Sequence, residues 1–532
     1  MTNTWLVLLP TVIVLTSAFT IKKLNTSLIL GILSAGLIAS NFSIFKMFSI
    51  VGYRLWEKLT DYDQIVIFSF LIILGIIVAL LAITGGAAAF AKIVTKKVKD
   101  SRAAEKSSIL LSFSLFIDDY LSNLTVGYVM RPITDKFKIP RAKLAFLVHS
   151  FPAALVILVP LTSWGAMITG QLNFAGITTD PTEMIKVLTD SFFTYIKTIP
   201  YIFYSFLIVP SVWFIVHRRI SYGPMKKHED IAKKTGNLFG GRTDIKTKEI
   251  DTHYAQSSLA DLIVPVATLI ASIIIGFLYS GGFFLFGGNK SLLGALKNNG
   301  DPSFTIFVAG AITLAISFIF AFARKKIKIK STVTVIKNGF SMMYEPILML
   351  ILAITLGNIL MKDLDTGGYL ANLLMGSFSI KFLPFMLFIT AATCGIATGT
   401  SWGTIALLTP TIAVPLVVAL SQVTVPTTLD KVAILLPSLG AIFSGAICGD
   451  HVSPISETTI MAATSSGSDP IDHAYTQFPY AAPAIVSTAL AFLLSGLLAD
   501  YSPWINIFVP LAVGLATCLG LLLLLNKNRA RG

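Results

Sequence analysis

Apolar residues gather in long stretches along this chain, at about 5–19, 28–40, 65–83, 144–169, 193–216, 260–282, 304–322, 343–361, 382–396, 403–421, 433–448, 478–498 and 504–525. A helix that crosses a bilayer needs about 20 mostly apolar residues, so the pattern predicts roughly 11 to 13 spans joined by short loops. The only sizeable polar segment is 217–257, dense in both charges and without an apolar period. It reads as a cytoplasmic linker between an N-terminal transmembrane half, 1–216, and a C-terminal half, 258–532.

One largely apolar stretch, 113–131, does not read as a simple span. Asp118 and Asp119 sit at its middle, followed by Ser122, Asn123 and Thr125. Basic residues flank both sides: Lys96, Lys97, Lys99, Arg102 and Lys106 before it, Arg131, Lys136, Lys138, Arg141 and Lys143 after it. Lys and Arg mark cytoplasmic loops, so both ends belong on one side. The segment is too short for two crossings at about 20 residues each. Residues 108–130 are therefore expected to form a re-entrant hairpin with the acids at its tip. Irregular backbone at membrane depth is tolerated only inside protein or beside a water-filled cavity, so this is a candidate binding site.

The second polar interruption is 445–459, GAICGDHVSPISETT. Small residues permit close helix approach, and Pro454 cannot continue a regular helix. Asp450, His451, Ser453, Ser456, Glu457, Thr458 and Thr459 follow within ten residues. A hard cation such as Na⁺ wants several oxygens, and a broken helix offers carboxylates, hydroxyls and freed carbonyls together. A broken-helix site is expected at 445–460; the bland alternative is a polar loop at the membrane surface.

The two halves resemble each other weakly. Asp119, Ser122 and Thr125 match Asp450, Ser453 and Ser456 in spacing; Phe151-Pro152 matches Phe478-Pro479, and Thr84-Gly85 matches Thr398-Gly399. The tetrapeptide TSWG breaks this order, occurring at 162–165 and at 400–403. Either the recurrence is coincidence or the copies do similar jobs from different elements. The pattern as a whole predicts an all-α polytopic membrane protein with two structurally repeated halves, re-entrant hairpins and broken helices.

Composition narrows the class. Of 532 residues, 54% are hydrophobic and 13% charged, with a mean hydropathy of +0.78; soluble domains carry about 25% charged residues. The net charge of +14 would suggest nucleic acid in a soluble chain. Here the excess lies in short loops, where orientation and anionic lipid headgroups account for it. The three cysteines form no CxxC and no metal spacing, so neither a structural metal nor a cofactor is expected. No Lys or Arg precedes the first apolar run, which argues for a retained first helix over a cleaved signal peptide. The loop 170–192, with Asp180, Glu183 and Asp190, should face outward.

The chemistry then rests on acids. Carboxylates inside a membrane mark ion or proton pathways, and an acid held out of water takes a proton more readily. Protons and Na⁺ could compete for one site, and that competition suffices for exchange. Asp118, Asp119, Asp450 and Glu457 are the candidate cation and proton sites. One of the adjacent pair is expected to serve a helix N-terminus or Arg131, leaving Asp119, the match of Asp450, as the working acid. Ser122, Asn123, Thr125, Ser453, Ser456 and Thr458 are candidate neutral oxygens for an ion or a substrate. His149 and His451 are either hydrogen-bonded structural residues or a proton relay. Trp164 and Trp402 read as packing or interfacial residues, with a gating role open.

With GDHVSPISETT at 449–459, IDDYLSNLTVGYVMRPITD at 117–135 and PRAKLAFLVHSFPAA at 140–154, the sequence resembles the NhaC family of sodium/proton antiporters. The resemblance implies a multi-pass bacterial inner-membrane secondary transporter of the ion-transporter type, with two repeats that it suggests are inverted. It implies Na⁺ and H⁺ as transported ions; some relatives exchange malate and lactate or move amino acids, so a small organic solute stays open, as does a homodimer. The chain departs from the family pattern at Val452 and Glu457, where Cys and Asp are common, and at His149, where an acid is common nearby. These departures bear on coupling or substrate rather than on fold. A membrane aspartyl protease is disfavoured, since Ile447-Cys448-Gly449-Asp450 lacks the GxGD pattern, and no GxxxxGK[ST] motif offers ATP drive.

Overall fold

The computed structural model describes residues 4–21, 23–86, 89, 98–116, 118–179, 185–243, 258–292, 295, 302–366, 368–369, 373 and 379–527. Among these residues, nine helices are long and apolar enough to cross a membrane, or up to 11 if each of two bent pairs is one span. Nine falls short of the expected 11 to 13, and only the upper count reaches that range, because several apolar runs do not make independent crossings.

The helices run between two faces. On the basic face, a cavity of about 370 Å³ is lined by Ser101, Glu105, Lys138, Lys143, Arg219 and Glu229 among others. Lys143 Nζ lies 3.2 Å from Glu105 Oε1 and also pairs with Glu229, all three side chains being buried. The start of helix Ser101–Ser114 and the end of helix Asp119–Lys136 thus meet at this face. The two helices are the arms of a first hairpin, which turns after Phe116 and restarts at Asp118. At 1.5 Å per residue the arms reach about 21 and 27 Å, enough to carry the tip deep into a bilayer.

The chain then leaves the basic face through Arg141–His149, Pro152–Val156 and Ser163–Phe174. The single apolar run 144–169 is therefore a broken span, interrupted at 150–151 and again at 157–162, where Pro160 has no N–H to continue a helix. It ends at the opposite face. There the two-residue strands Ile177–Thr178 and Val187–Leu188 pair in parallel, and Leu188 N donates to the Thr427 carbonyl at 2.7 Å. The described parts of the loop expected to face outward, 170–179 and 185–192, thus lie opposite the basic face, while Asp180 and Glu183 lie outside the described residues.

The C-terminal half repeats the plan in the reverse sense. Helix Leu383–Thr398 starts at the strand face, beside the Lys381–Asp500 pair. The chain turns at 399–400 and returns through Ser401–Leu408, a π turn at Thr409–Ala413, and Val414–Leu420. The runs 382–396 and 403–421, read from the pattern as two spans, are the arms of a second hairpin. Helix Leu435–Val452 starts near Tyr201, breaks at 453–455, and resumes as Glu457–Ser466. It reaches the basic face at Gly467, whose carbonyl accepts from Arg141 Nη1 at 3.4 Å. Each half therefore holds one hairpin and one broken span, entered from opposite faces.

This geometry revises the internal matching drawn from sequence. Asp119 follows a hairpin tip, whereas Asp450 ends the first half of a broken span. Pro152 starts a short helix, whereas Pro479 lies inside Pro470–Leu497. The elements that do correspond are Asp118 with Thr400, after the two tips, and Thr162 with Ser456, after the two breaks.

Part of the linker is folded. Helix Gly223–Thr235 buries Met225, Glu229 and Ala232, a single face at helical spacing. Only two of those residues are apolar and the third is an ion-pair partner, so the segment shows no apolar period. Residues 244–257 of the linker lie outside the described residues.

Candidate functional site

Four helices begin at the centre of the molecule, and each is capped by a side chain. Asp118 Oδ1 accepts from Leu121 N at 2.8 Å, Thr162 Oγ1 from Gly165 N at 3.4 Å, and Thr400 Oγ1 from Gly403 N at 3.3 Å. Ser456 Oγ accepts from Thr458 N at 3.1 Å and Thr459 N at 3.4 Å. Both copies of TSWG are thus the same device: a Thr cap followed by a Trp in the first turn, carried once on a broken span and once on a hairpin. Their indoles meet edge to face, Trp164 to Trp402, with centroids 6.0 Å apart.

Close backbone packing sets the depth of this centre. A Cβ on Gly449 would lie 2.3 Å from the Ala392 carbonyl oxygen, so the broken span and the hairpin arm touch main chain to main chain. Gly399 turns the second hairpin with φ +66°, a conformation L side chains rarely adopt. Together they place Ser401, just past the tip, against Asp450.

The small cavity between the four helix starts is lined by Asp119, Tyr120, Trp164, Trp402, Asp450 and Glu457, with 399–401 and Thr458 closing it. Its volume is about 10 Å³, comparable to room for a single water-sized body. Three carboxylates line it, and among the described residues no Lys, Arg or His does. Asp450 is fully engaged: Ser401 Oγ donates to Oδ2 at 2.9 Å, Thr458 Oγ1 to the same oxygen at 3.2 Å, and Ser456 Oγ to Oδ1. Glu457 accepts from the Tyr120 hydroxyl at 2.9 Å. Asp119 is 2% exposed, and its Oδ1 has no hydrogen-bond partner among the described residues.

The remaining sequence candidates take more varied positions. Asp118 is the cap of its helix and does not line the cavity. Ser122 and Asn123 are buried one turn beyond Asp119; Asn123 Nδ2 donates to the Asp119 carbonyl at 2.9 Å, while Ser122 Oγ and Asn123 Oδ1 are unpartnered among the described residues. Thr125 is half-buried, away from the lining. Ser453 Oγ donates to the Ile396 carbonyl at 2.8 Å, tying the break to the hairpin arm. His149 Nε2 lies 3.0 Å from Thr458 Oγ1, and His451 Nδ1 lies 2.6 Å from the Tyr204 hydroxyl.

Sequence reasoning missed Ser401, Tyr120, Gln477 and His473. The repeat of TSWG was the available signal for Ser401. For His473 the signal was weak, a histidine near the start of an apolar run. It joins His149 and His451 in a buried cluster, with ring centroids 4.9 Å apart for His149–His451 and 5.3 Å for His149–His473.

Charge and geometry together constrain the chemistry. Carboxylates without a cationic partner are costly to bury, so Asp119 and Asp450 suit a proton or a small cation. Helix N-termini on four sides offset part of the negative charge. A molecule of two oppositely entered repeats, whose hairpins and broken spans converge on such a centre, is a secondary carrier in its architecture. The chain belongs to the Na⁺/H⁺ antiporter family, whose profile matches residues 155–497.

A Haemophilus influenzae protein known only as an uncharacterized protein is 30% identical over 495 residues, 92% of this chain and 90% of its own. The malate-2H(+)/Na(+)-lactate antiporter of Bacillus subtilis is 30% identical over 202 residues, 36% of this chain and 40% of its own. In fold the chain is similar to MtrF of Neisseria gonorrhoeae, described as illuminating a class of antimetabolite efflux pumps. The TM-score is 0.51 at 14% sequence identity, over 86% of this chain and 85% of that one.

Proposed function

We propose that the protein exchanges Na⁺ for H⁺ across the bacterial inner membrane, with Asp119 and Asp450 as the acids that the two cations share. The observation that carries this is a lining of three carboxylates, the buried Asp119 and Asp450 and the exposed Glu457, with no cationic side chain among its described residues. Such a site is held either protonated or with a bound cation, and exchange follows when both forms can face either side. Asp450, held by three hydroxyls, is the fixed half of the site; Asp119, with one carboxylate oxygen unpartnered, is the half that takes up or releases the cargo. The cavity of about 10 Å³ suits an ion better than an organic acid in this closed arrangement.

A second reading keeps the cation site and adds a small carboxylate as co-substrate. Its support is the convergence of four helix N-termini, which favour an anionic group, together with the likeness to the malate/lactate antiporter over part of the chain.

One experiment addresses both. Purified protein in proteoliposomes with an imposed pH gradient is challenged with Na⁺, Li⁺ and K⁺, then with small carboxylates, beside Asp119→Asn and Asp450→Asn. Dissipation of the gradient by Na⁺ or Li⁺, lost in both variants, is the expected result. If only a carboxylate moves protons, the second reading replaces the first. If both variants match the parent, the two acids are misassigned.

A further inference from the structure

From Asp450 a line of polar contacts runs through Thr458, at the edge of the cavity, toward the basic face. Thr458 Oγ1 lies 3.2 Å from Asp450 Oδ2 and 3.0 Å from His149 Nε2. His149 Nδ1 in turn lies 3.2 Å from His473 Nε2. His473 sits in the first turn of Pro470–Leu497, which is capped by Asp469 at the basic face. His473 is fully buried, and its Nδ1 has no partner among the described residues. One assignment of protons satisfies every link: His473 Nε2–H donates to His149 Nδ1, His149 Nε2–H to Thr458 Oγ1, and the Thr458 hydroxyl to Asp450. The line then has a single free end, His473 Nδ1.

We propose that His473 is the proton entry of the transport cycle, delivering protons between the basic face and Asp450 through His149 and Thr458. The inference rests on the exchange reading above and assigns its proton route. A proton arriving at His473 Nδ1 releases the Nε2 proton to His149 Nδ1. His149 then gives up its Nε2 proton to Thr458, whose own hydroxyl proton passes to the Asp450 carboxylate. No charge is left on any intermediate group, and the reverse sequence returns the proton. Reorientation of the two imidazoles and the hydroxyl resets the line.

The surroundings keep the path free of competing charge. The titratable ring packed against His473 is His149, from the first broken span, which in turn packs against His451, from the second. His451 turns its Nδ1 to Tyr204 and stands beside the path. Asp469 and Asp472, on the same helix as His473, pair with Arg242 of the linker. Arg141 pairs with Asp135, and Glu229 with Lys143. Gln477 lies 3.1 Å from His149 Nδ1 and donates to the His451 carbonyl, which fixes the ring positions. A purely structural cluster of buried histidines predicts a different response to substitution.

The test separates proton transfer from ion binding. His473→Gln and His473→Phe are compared with the parent in proteoliposomes by two assays: Na⁺-driven proton movement, and exchange of ²²Na⁺ for Na⁺ at equal pH on both sides. The expected result is a loss of about tenfold or more in proton movement, the scale of a positioned proton carrier, with ²²Na⁺/Na⁺ exchange preserved. Partial recovery of proton movement in His473→Gln by added imidazole would add support. A parallel fall of both assays in both variants makes His473 a packing residue and overturns the proposal; so does an unchanged proton rate. If the parent itself moves no protons with Na⁺, the exchange reading fails, and the relay falls with it.

Discussion

Ser401 and Asp450 meet side chain to side chain, Oγ to Oδ2 at 2.9 Å, although they come from two elements that each stop and restart inside the molecule. Ser401 opens the returning arm of the second hairpin, and Asp450 closes the first half of the second broken span. The contact therefore sets the carboxylate relative to the hairpin tip. Ser401→Ala should leave Asp450 one donor short at a buried site, a change of about 1–3 kcal/mol. The expected outcome is an intact protein whose Na⁺ concentration for half-maximal exchange rises by about tenfold, since 1.4 kcal/mol is one decade. Titration of exchange rate against Na⁺ in proteoliposomes reads this directly, and an unchanged half-maximal concentration would mean that Ser401 does not support the ion site.

The same junction depends on the absence of a side chain at Gly449. A Cβ there would press within 2.3 Å of a backbone oxygen, which cannot swing aside as a side chain could. Gly449→Val should push the broken span off the hairpin arm, costing about 1–3 kcal/mol or more through overpacking. Lower yield of monodisperse protein and a reduced melting temperature in detergent are expected. Normal stability would show that the two segments are less closely packed than these contacts indicate.

The class was legible in the sequence, and so was the burial of Asp118, Asp119 and Asp450, because a bilayer leaves few ways to place such acids in apolar runs. What was not legible was which segments correspond. Asp119 and Asp450 share a spacing of hydroxyls, and that likeness outweighed the TSWG repeat. In the structure the repeat marks a shared device on two different elements, since a helix restarted inside the membrane needs a cap, and Asp118, Thr162, Thr400 and Ser456 all serve as one. The second hairpin was hidden for a physical reason: its arms are as apolar as full spans, and only the turn at Gly399 distinguishes them. The histidine cluster was hidden because His149, His451 and His473 come from three helices, and no local pattern brings them together. The linker helix was hidden because its buried face holds Glu229, whose partner Lys143 is 86 residues away.

That partnership gives a stability prediction at the base of the first hairpin. Lys143 is buried between Glu105 and Glu229, from the rising arm and the linker helix. Lys143→Met would strip Glu229 of its buried cation and leave Glu105 only the more exposed Arg219, 3.6 Å away, a loss of about 3–5 kcal/mol for a broken buried pair. The expected outcome is a marked fall in melting temperature. Lys143→Met combined with Glu229→Gln should recover part of it, because the stranded Glu229 charge is then removed. If the double variant is no better than the single one, Lys143 acts through packing of its stem and not through its charge.

Asp118 and Asp119 are neighbours in sequence, yet the structure gives them separate work, and exchange measurements can tell them apart. Asp118 caps its helix through Leu121 N, a task that Asn performs as well as Asp. Asp118→Asn should therefore keep both fold and exchange, while Asp118→Ala should lower stability by about 0.5–2 kcal/mol, the usual loss for an N-cap. Asp119 lines the cavity and keeps one carboxylate oxygen unpartnered among the described residues. Asp119→Asn is nearly isosteric but can neither carry a proton as an acid nor neutralise Na⁺. It should fold with the parent's melting temperature and fail to dissipate a pH gradient when Na⁺ is added. The opposite pattern, with Asp118→Asn inactive and Asp119→Asn active, would move the working acid from the cavity lining to the cap.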